Sequence, residues 1–365
     1  MLEVFIILWV AAGICGLAYT FFAWKVWARL HKIEPSNIPY VEISNELTVL
    51  IPCRNEAEVL PHLLNDLKAQ SYPVSIVVID DGSNDDTSRI AKESGVQCIP
   101  TEGSGKKAAL ITGFKWVQTP WFATLDADVR LGSEWAQTML SNAVHQKAEC
   151  ILGGVIIDAS PSTAWNRFQQ MEFAVMQAWI AGGVQSQNLA MGSGANILYA
   201  TADYPVDALQ PEWASGDDAF AMLALRKSDK TIGWCRAPEA RVTTGTAPNW
   251  KALWQQRARW ASKTGAQDSE TQQTALTIAA LHTLPLALAI GVIATGNTAL
   301  LWSLVGVAAA KSFIDWRLLT LARREFSITW QTVDMLLFPI RYATLVWGAW
   351  WQLLLGRIHW KGRRI

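Results

Sequence analysis

The chain has 365 residues, with 31 basic and 31 acidic side chains and no net formal charge. Apolar residues make up 51% and charged residues only 17%, against about 25% charged in an ordinary soluble domain, and the mean hydropathy is +0.15. This excludes a disordered chain, which needs low hydrophobicity and high net charge, and it removes the basic footprint of a nucleic-acid binder. Twenty tryptophans suit a chain that meets a bilayer interface, so the composition describes a soluble domain joined to membrane segments.

Val4 to Trp24 carries no charge and is long enough to span roughly 30 Å of hydrocarbon as a helix. Glu3 stands where a secretory signal would have a basic leader, so residues 1–32 read as a retained anchor. Lys25, Arg29 and Lys32 follow it and place the next domain in the cytoplasm by the positive-inside rule. Pro35 to Pro39 makes a short linker.

Residues 45–245 alternate apolar runs with helical patterns. Leu47 to Ile51 is a short strand ended by Pro52, and Ala57 to Gln70 has helical spacing of Val59, Leu60, Leu63, Leu64 and Leu67. Ser75 to Ile79 is a β-branched run, stopped by Asp80-Asp81-Gly82-Ser83, and Asp85-Asp86-Thr87 can cap the next helix. Trp121 to Leu125 is a further strand, ending at Asp126. Such alternation, with polar residues at the carboxyl ends of strands, predicts an α/β domain with a mostly parallel central sheet and a ligand crevice at those ends. Ser162 to Gly182 is amphipathic, with Trp165, Phe168, Val175, Met176 and Trp179 on one face; it fits a core-packing helix or one lying on a membrane.

Residues 246–268 predict an amphipathic helix at the membrane surface, and 271–365 predict membrane segments with a basic tail. Thr271 to Ala310 has no Asp, Glu, Lys or Arg, and Thr295-Gly296-Asn297 divides it as a hairpin turn. Lys311, Arg317, Arg323 and Arg324 fill a cytoplasmic connection to a third apolar run, Met335 to Leu355, which carries Arg341 and is rimmed by Trp330, Trp347, Trp350 and Trp351. A single crossing by that run would leave Lys361-Gly362-Arg363-Arg364 outside, against the charge rule, so either the run is re-entrant or interfacial, or the hairpin before it does not form as drawn. The five cysteines are scattered and the five histidines lack ligand spacing, which argues against a disulfide framework and a zinc site.

Four charged constellations punctuate the domain. Asp80-Asp81 serves turn chemistry or accepts a hydrogen bond from a base or ribose. Asp126-Ala127-Asp128 can aim two carboxylates at a hard divalent cation, since Mg²⁺ takes one or two carboxylates plus substrate phosphates. Asp217-Asp218 either stabilises a helix N-terminus or supplies a general base. Gln256, Arg259 and Trp260 share a helical face between Asn249 and Lys263. An Arg fork suits a diphosphate, while Lys251, Arg257 and Lys263 support the alternative of a basic helix on anionic lipid.

Together with Ile51-Pro52-Cys53-Arg54-Asn55-Glu56, Gly105-Lys106 before Ala109-Leu110, and Gly192-Ser193-Gly194-Ala195-Asn196, these motifs make the chain from about Leu47 to Lys263 resemble the family 2 glycosyltransferases of GT-A fold. The resemblance implies that Pro52, Arg54, Glu56 and Asp80 or Asp81 hold the base and ribose of a nucleotide sugar, with Lys106 near the nucleotide. It further implies that Asp126 touches the ribose, that Asp128 binds Mg²⁺ or Mn²⁺, and that Asp218, beside Asp217, takes the acceptor proton. Gln256, Arg259 and Trp260 would close over the diphosphate and acceptor. The acidic pair is Asp-Asp here where the family usually has Glu-Asp. The implied reaction is an inverting, metal-dependent transfer from a UDP-sugar that forms a β-glycoside. With this flanking of apolar helices the chain is similar to ceramide glucosyltransferases and bacterial carotenoid and other lipid glycosyltransferases, which implies a membrane lipid as acceptor and a multi-pass protein. A processive synthase of a β-linked polysaccharide also uses QxxRW, and a non-catalytic nucleotide-binding scaffold is the reading outside enzymes.

Overall fold

The computed structural model describes residues 2–30, 38–41, 47–185, 192–209, 216–267, 269–356, 359–360 and 363–364. Residues 35–37 of the linker expected at Pro35 to Pro39, and Lys361 and Gly362 of the basic tail, fall outside them. The chain divides into two compact units, one of residues 1–31, 160–182 and 247–358, the other of 32–159, 183–246 and 359–365.

The second unit is built on a seven-stranded sheet. Its first half follows β1 (Leu47–Cys53), α2 (Leu60–Lys68), β2 (Val74–Asp80), α3 (Thr87–Glu93), β3 (Gln97–Pro100), α4 (Lys106–Phe114) and β4 (Trp121–Leu125), α1 being the N-terminal helix Leu2–Leu30 of the other unit. β3, β2, β1 and β4 are neighbours in that order and all parallel. Both faces of such a sheet are covered, and Leu47 to Ile51 is accordingly buried throughout. The helix expected from Ala57 begins only at Leu60: Asn55 sits at φ 53° and the turn Ala57–Val59 precedes Pro61, which the first helical turn accepts. Leu60, Leu63, Leu64 and Leu67 form its buried stripe, each contributing roughly 1.5–3 kcal/mol. The cap of α3 also differs in detail, since Asp86 holds the N-cap position without a side-chain bond and it is Asp85 that accepts from the Thr87 amide and hydroxyl.

After β4 come β5 (Arg130–Leu131), α5 (Trp135–Gln146), β6 (Cys150–Gly153) and β7 (Val155–Ile157); then, beyond α6 (Ala164–Gln185), β8 (Asn196–Ala200), α7 (Asp217–Lys227), β9 (Ile232–Cys235) and β10 (Val242–Thr244). β8 lies between β4 and β6, antiparallel to both, and β9 closes the sheet parallel to β6. The expected mostly parallel sheet is present, with one reversed strand inside it. A small sheet of β5, β10 and β7 stands beside it. Buried Asn196 secures the meeting point, accepting from Trp135 Nε1 at 2.9 Å and donating to the carbonyls of Gly154 and Ala240 at 3.1 and 2.9 Å. β11 (His359–Trp360) and β12 (Arg363–Arg364) make a two-strand ladder.

The first unit is helical: α1, most of α6, α8 (Trp250–Ala261), α9 (Ser269–Thr295), α10 (Thr298–Phe326) and α11 (Thr332–Leu354). Among the described residues, Thr271–Thr295 and Thr298–Phe326 are long and apolar enough to cross a membrane. The expected turn between them is there, with Gly296 at φ 64° and Asn297 capping α10 through the Ala299 amide. The cationic connection is not: α10 continues to Phe326, so Lys311, Arg317, Arg323 and Arg324 are helical residues. Lys311 is buried and donates to Asp315 at 2.5 Å, and Tyr19 of α1 donates to the same carboxylate at 2.6 Å. An ion pair one helical turn apart neutralises itself within the helix.

The helix α6 is likewise not amphipathic in its burial, because its polar side is covered too. Arg167 grips buried Asp334 of α11 through Nε at 2.6 Å and Nη2 at 3.2 Å, and Glu172 pairs with Arg257. α6 is thus a core helix of this unit. Arg341, a charge in an apolar run, is explained by the same corner: it lies 3.5 Å from Asp334 and donates to the Ala164 carbonyl at 3.2 Å. The assignment of Arg257 and Lys263 to a lipid surface is overturned by burial, since both are less than a tenth exposed.

Candidate active site

The four parallel strands β1 to β4 end on one edge of the sheet, so the loops at 54–59, 81–86, 101–105 and 126–129 leave it side by side. Asp81 ties three of them together: its amide donates to the Cys53 carbonyl at 2.8 Å and its Oδ1 accepts from the Gly105 amide at 2.9 Å. Arg54 Nη1 donates to the Asp81 carbonyl at 2.6 Å, while its Nε is buried without a partner. Asp80 Oδ1 accepts from the Ser83 amide and hydroxyl at 3.1 and 2.5 Å, which gives the turn-chemistry reading of this residue a concrete form. The Glu56 amide donates to Thr87 Oγ1, and Pro52 sits half-buried next to the end of β1.

Gly105, at φ 94° and ψ 165°, makes the bend that starts α4 and delivers Lys106 to this edge. Lys106 Nζ lies 2.7 Å from Asp126 Oδ1, 3.3 Å from Asp217 Oδ2 and 3.2 Å from the Gly194 carbonyl. The chain therefore brings together residues up to 111 positions apart, from four separate segments. Burial works against the lysine's charge, but the carboxylates of Asp126 and Asp217, aided by Asp218, outweigh it and hold the ammonium above its ordinary range.

Asp217 and Asp218 open the first turn of α7 and are both buried or nearly so, and Asp218 Oδ1 accepts from the Ala219 amide at 2.8 Å. Their charge suits a helix N-terminus, and that position also carries them to Lys106. The two acids of the DxD divide their work. Asp126 is neutralised by Lys106, and Asp128, two residues on, accepts from the Thr244 hydroxyl at 3.1 Å.

Thr244 and Gly194 were not marked individually as site residues by the sequence. Thr244 carries no local signal: it ends β10, in register with Ile157 of β7, and meets Asp128, 116 positions earlier, through its hydroxyl. Gly194 is required by space: a Cβ there would stand 2.8 Å from Asp217 Oδ2 and 3.0 Å from Lys106 Nζ. Gly194→Ala should thus separate the lysine from Asp217 while leaving the sheet intact. Steady-state assays are expected to read a loss of turnover of about tenfold to a hundredfold, with a thermal midpoint lowered by less than in a variant that removes the lysine.

Gln256, Arg259 and Trp260 lie on α8, in the helical unit. Gln256 is exposed, and Arg259 and Trp260 are half-buried. Asn249 caps that helix through the Ala252 amide at 3.0 Å.

A cation fits the chemistry of the sheet-edge cluster. Among the described residues no group of three or more His, Cys, Asp or Glu could hold a metal by itself, so Asp128 would supply one hard oxygen ligand and the remainder would come from elsewhere. Three carboxylates, Asp126, Asp217 and Asp218, surround the single ammonium of Lys106, and an excess of negative charge calls for a cation before a second anion can approach.

Residues 48–203 match the family model described as Glycosyl transferase family 2. The 4,4'-diaponeurosporenoate glycosyltransferase of Staphylococcus aureus is 31% identical over 130 residues, 34% of this chain and 34% of that protein. The chain thus aligns with about a third of the length of the curated relatives it matches. The structure of mannosyltransferase PcManGT from Pyrobaculum calidifontis, in complex with GDP-Man and Mn²⁺, has the same fold at a TM-score of 0.65 and 14% identity, over 96% of this chain and 99% of that one. The GT-A fold expected from the order of the motifs is borne out.

Proposed function

We propose that this chain, which carries a family 2 glycosyltransferase domain at residues 48–203, transfers a sugar from a nucleotide sugar to a hydroxyl of a membrane lipid, with inversion at the anomeric carbon. The observation that carries this reading is the cluster around Lys106, where Asp126 after β4 and Asp217 opening α7 converge on one ammonium.

In this reading Arg54, Glu56, Pro52 and Asp80 or Asp81 receive the base and ribose of a UDP-sugar, and Asp126 touches the ribose while Lys106 fixes its rotamer. Asp128 would hold Mg²⁺ or Mn²⁺, and a cation there would supply Lewis-acid neutralisation of the leaving diphosphate. Asp218 removes the acceptor proton as the acceptor oxygen forms its bond to the anomeric carbon, and the bond from that carbon to the diphosphate breaks on the opposite side. An α-linked donor thus gives a β-glycoside. Arg259, with Gln256 and Trp260, serves the diphosphate and acceptor, an assignment that rests on the motif.

Two features support a lipid acceptor. The 31% identical relative is named for transfer to diaponeurosporenoate, a carotenoid-like lipid, and two apolar helices of this chain are long enough to cross a bilayer. The protein is then multi-pass, with the sheet unit in the cytoplasm. Membranes holding the protein, given labelled nucleotide sugars, should place label in the organic extract. Insoluble long chains would instead identify a polysaccharide synthase, and release of no nucleotide diphosphate would remove the enzyme reading.

The metal requirement has its own test. Chelation should stop transfer, and added Mn²⁺ or Mg²⁺ should restore it. Asp128→Ala should raise the metal concentration needed for half-maximal donor binding by at least about tenfold, read by titration calorimetry in detergent.

A further inference from the structure

The residue between Gln256 and Ala258 in the QxxRW stretch has no role in the proposed transfer, yet the helical unit holds all three of its guanidinium nitrogens. Arg257 is buried, and its Nε and Nη2 donate to Glu172 Oε1 and Oε2 of α6 at 2.9 and 2.6 Å. The same guanidinium donates from Nη1 to Gln256 Oε1 at 2.5 Å, and its centre lies 4.1 Å from the Trp260 ring. Phe173, beside Glu172, lies with its ring 5.7 Å from the guanidinium and, tilted by 48°, 6.0 Å from the Trp260 ring.

We infer that Glu172, acting through Arg257, is a positioning element for Gln256 and Trp260. The bidentate pair fixes the plane of the guanidinium, which a monodentate contact would leave free to swivel. Once that plane is fixed, one edge sets the Gln256 amide by occupying its oxygen, so the amide's own donors are turned to other partners. One face sets the indole, by cation–π contact at short range. Glu172 and Phe173 therefore reach two of the three motif residues from a different helix. The inference rests on the reading that Gln256 and Trp260 work on the diphosphate and acceptor.

Two variants in the full-length membrane protein test it. Arg257→Lys keeps a cation for Glu172 but loses the fork to Gln256 and the flat face on Trp260. It is expected to insert and melt like the parent, to keep its donor KM within about twofold, and to lose about tenfold or more in kcat. The pair Glu172→Gln with Arg257→Met removes the ion pair without leaving a buried charge alone, and the same split of KM from kcat is expected. Parental kcat in either folded variant would overturn the inference, as would loss of folding in Arg257→Lys, which would make the pair a structural tie. A parent protein that transfers no sugar sinks the functional reading and this inference with it, whereas an active parent beside fully active variants sinks only this inference.

Discussion

Asp218→Asn is expected to lower transfer by about a thousandfold or more while donor binding stays near that of the parent. The amide keeps the size of the carboxylate and can still accept from the Ala219 amide through its oxygen, as Asp218 Oδ1 does. What it loses is basicity, and removing a positioned general base costs typically 10²–10⁴ in rate. The neighbouring acid provides the contrast. Asp217 lies 3.3 Å from Lys106, so Asp217→Asn should weaken the lysine cluster and show a smaller loss. Donor binding by calorimetry alongside product formation separates the two effects, and an Asp218→Asn variant with undiminished turnover would remove this residue as the base.

Lys106→Met is the second large effect, and it reaches stability as well as turnover. The substitution leaves Asp126 and Asp217 without their shared cation. Breaking a buried pair costs 3–5 kcal/mol, and the 40% exposure of the Asp126 side chain reduces this to about 2–3 kcal/mol through solvent screening. In the parent the Lys106 ammonium is held above its ordinary range, so the stability its charge contributes is present below the unfolded lysine value and is lost as pH rises through the folded one. The Met variant has no such loss, so its stability should converge on that of the parent in strongly alkaline solution. Melting curves at neutral and alkaline pH read this directly, and transfer at neutral pH should be lost.

Much of the sheet was legible because its strands are local signals. Trp121 to Leu125 matches β4 residue for residue, since an apolar run ends abruptly at Asp126. β8 was not legible: Asn196 to Ala200 follows the glycine-rich stretch directly, and its antiparallel place between β4 and β6 depends on partners more than 40 residues away. In the candidate site the acids themselves stood out by type and spacing. Their shared partner did not, because nothing near Lys106 in the chain says that Asp217 will arrive beside it.

The helical unit shows the same division between local and distant information. The turn at Thr295 to Asn297 is written in three adjacent residues. The burial of Arg257 depends on Glu172, 85 positions earlier, and the helical pattern around Arg257 is compatible with a lipid-facing cation. Lys311 was misplaced for a related reason: a charge after forty uncharged residues reads as the end of a span, but Asp315 one turn later allows the helix to continue.

The hydroxyl of Tyr19 on the carboxylate of Asp315 spans 296 positions, which has a consequence for biosynthesis. The first helix leaves the ribosome long before its partner exists, so the contact closes only after nearly the whole polypeptide has been made. A nascent chain stopped before α10 would hold α1 without that bond, and a mature chain trimmed of α1 would leave Asp315 to Lys311 alone among these two partners. Assembly of the helical unit is in this respect a late event, and co-expressing α1 as a separate peptide with the remainder would reveal whether the severed pieces still find each other.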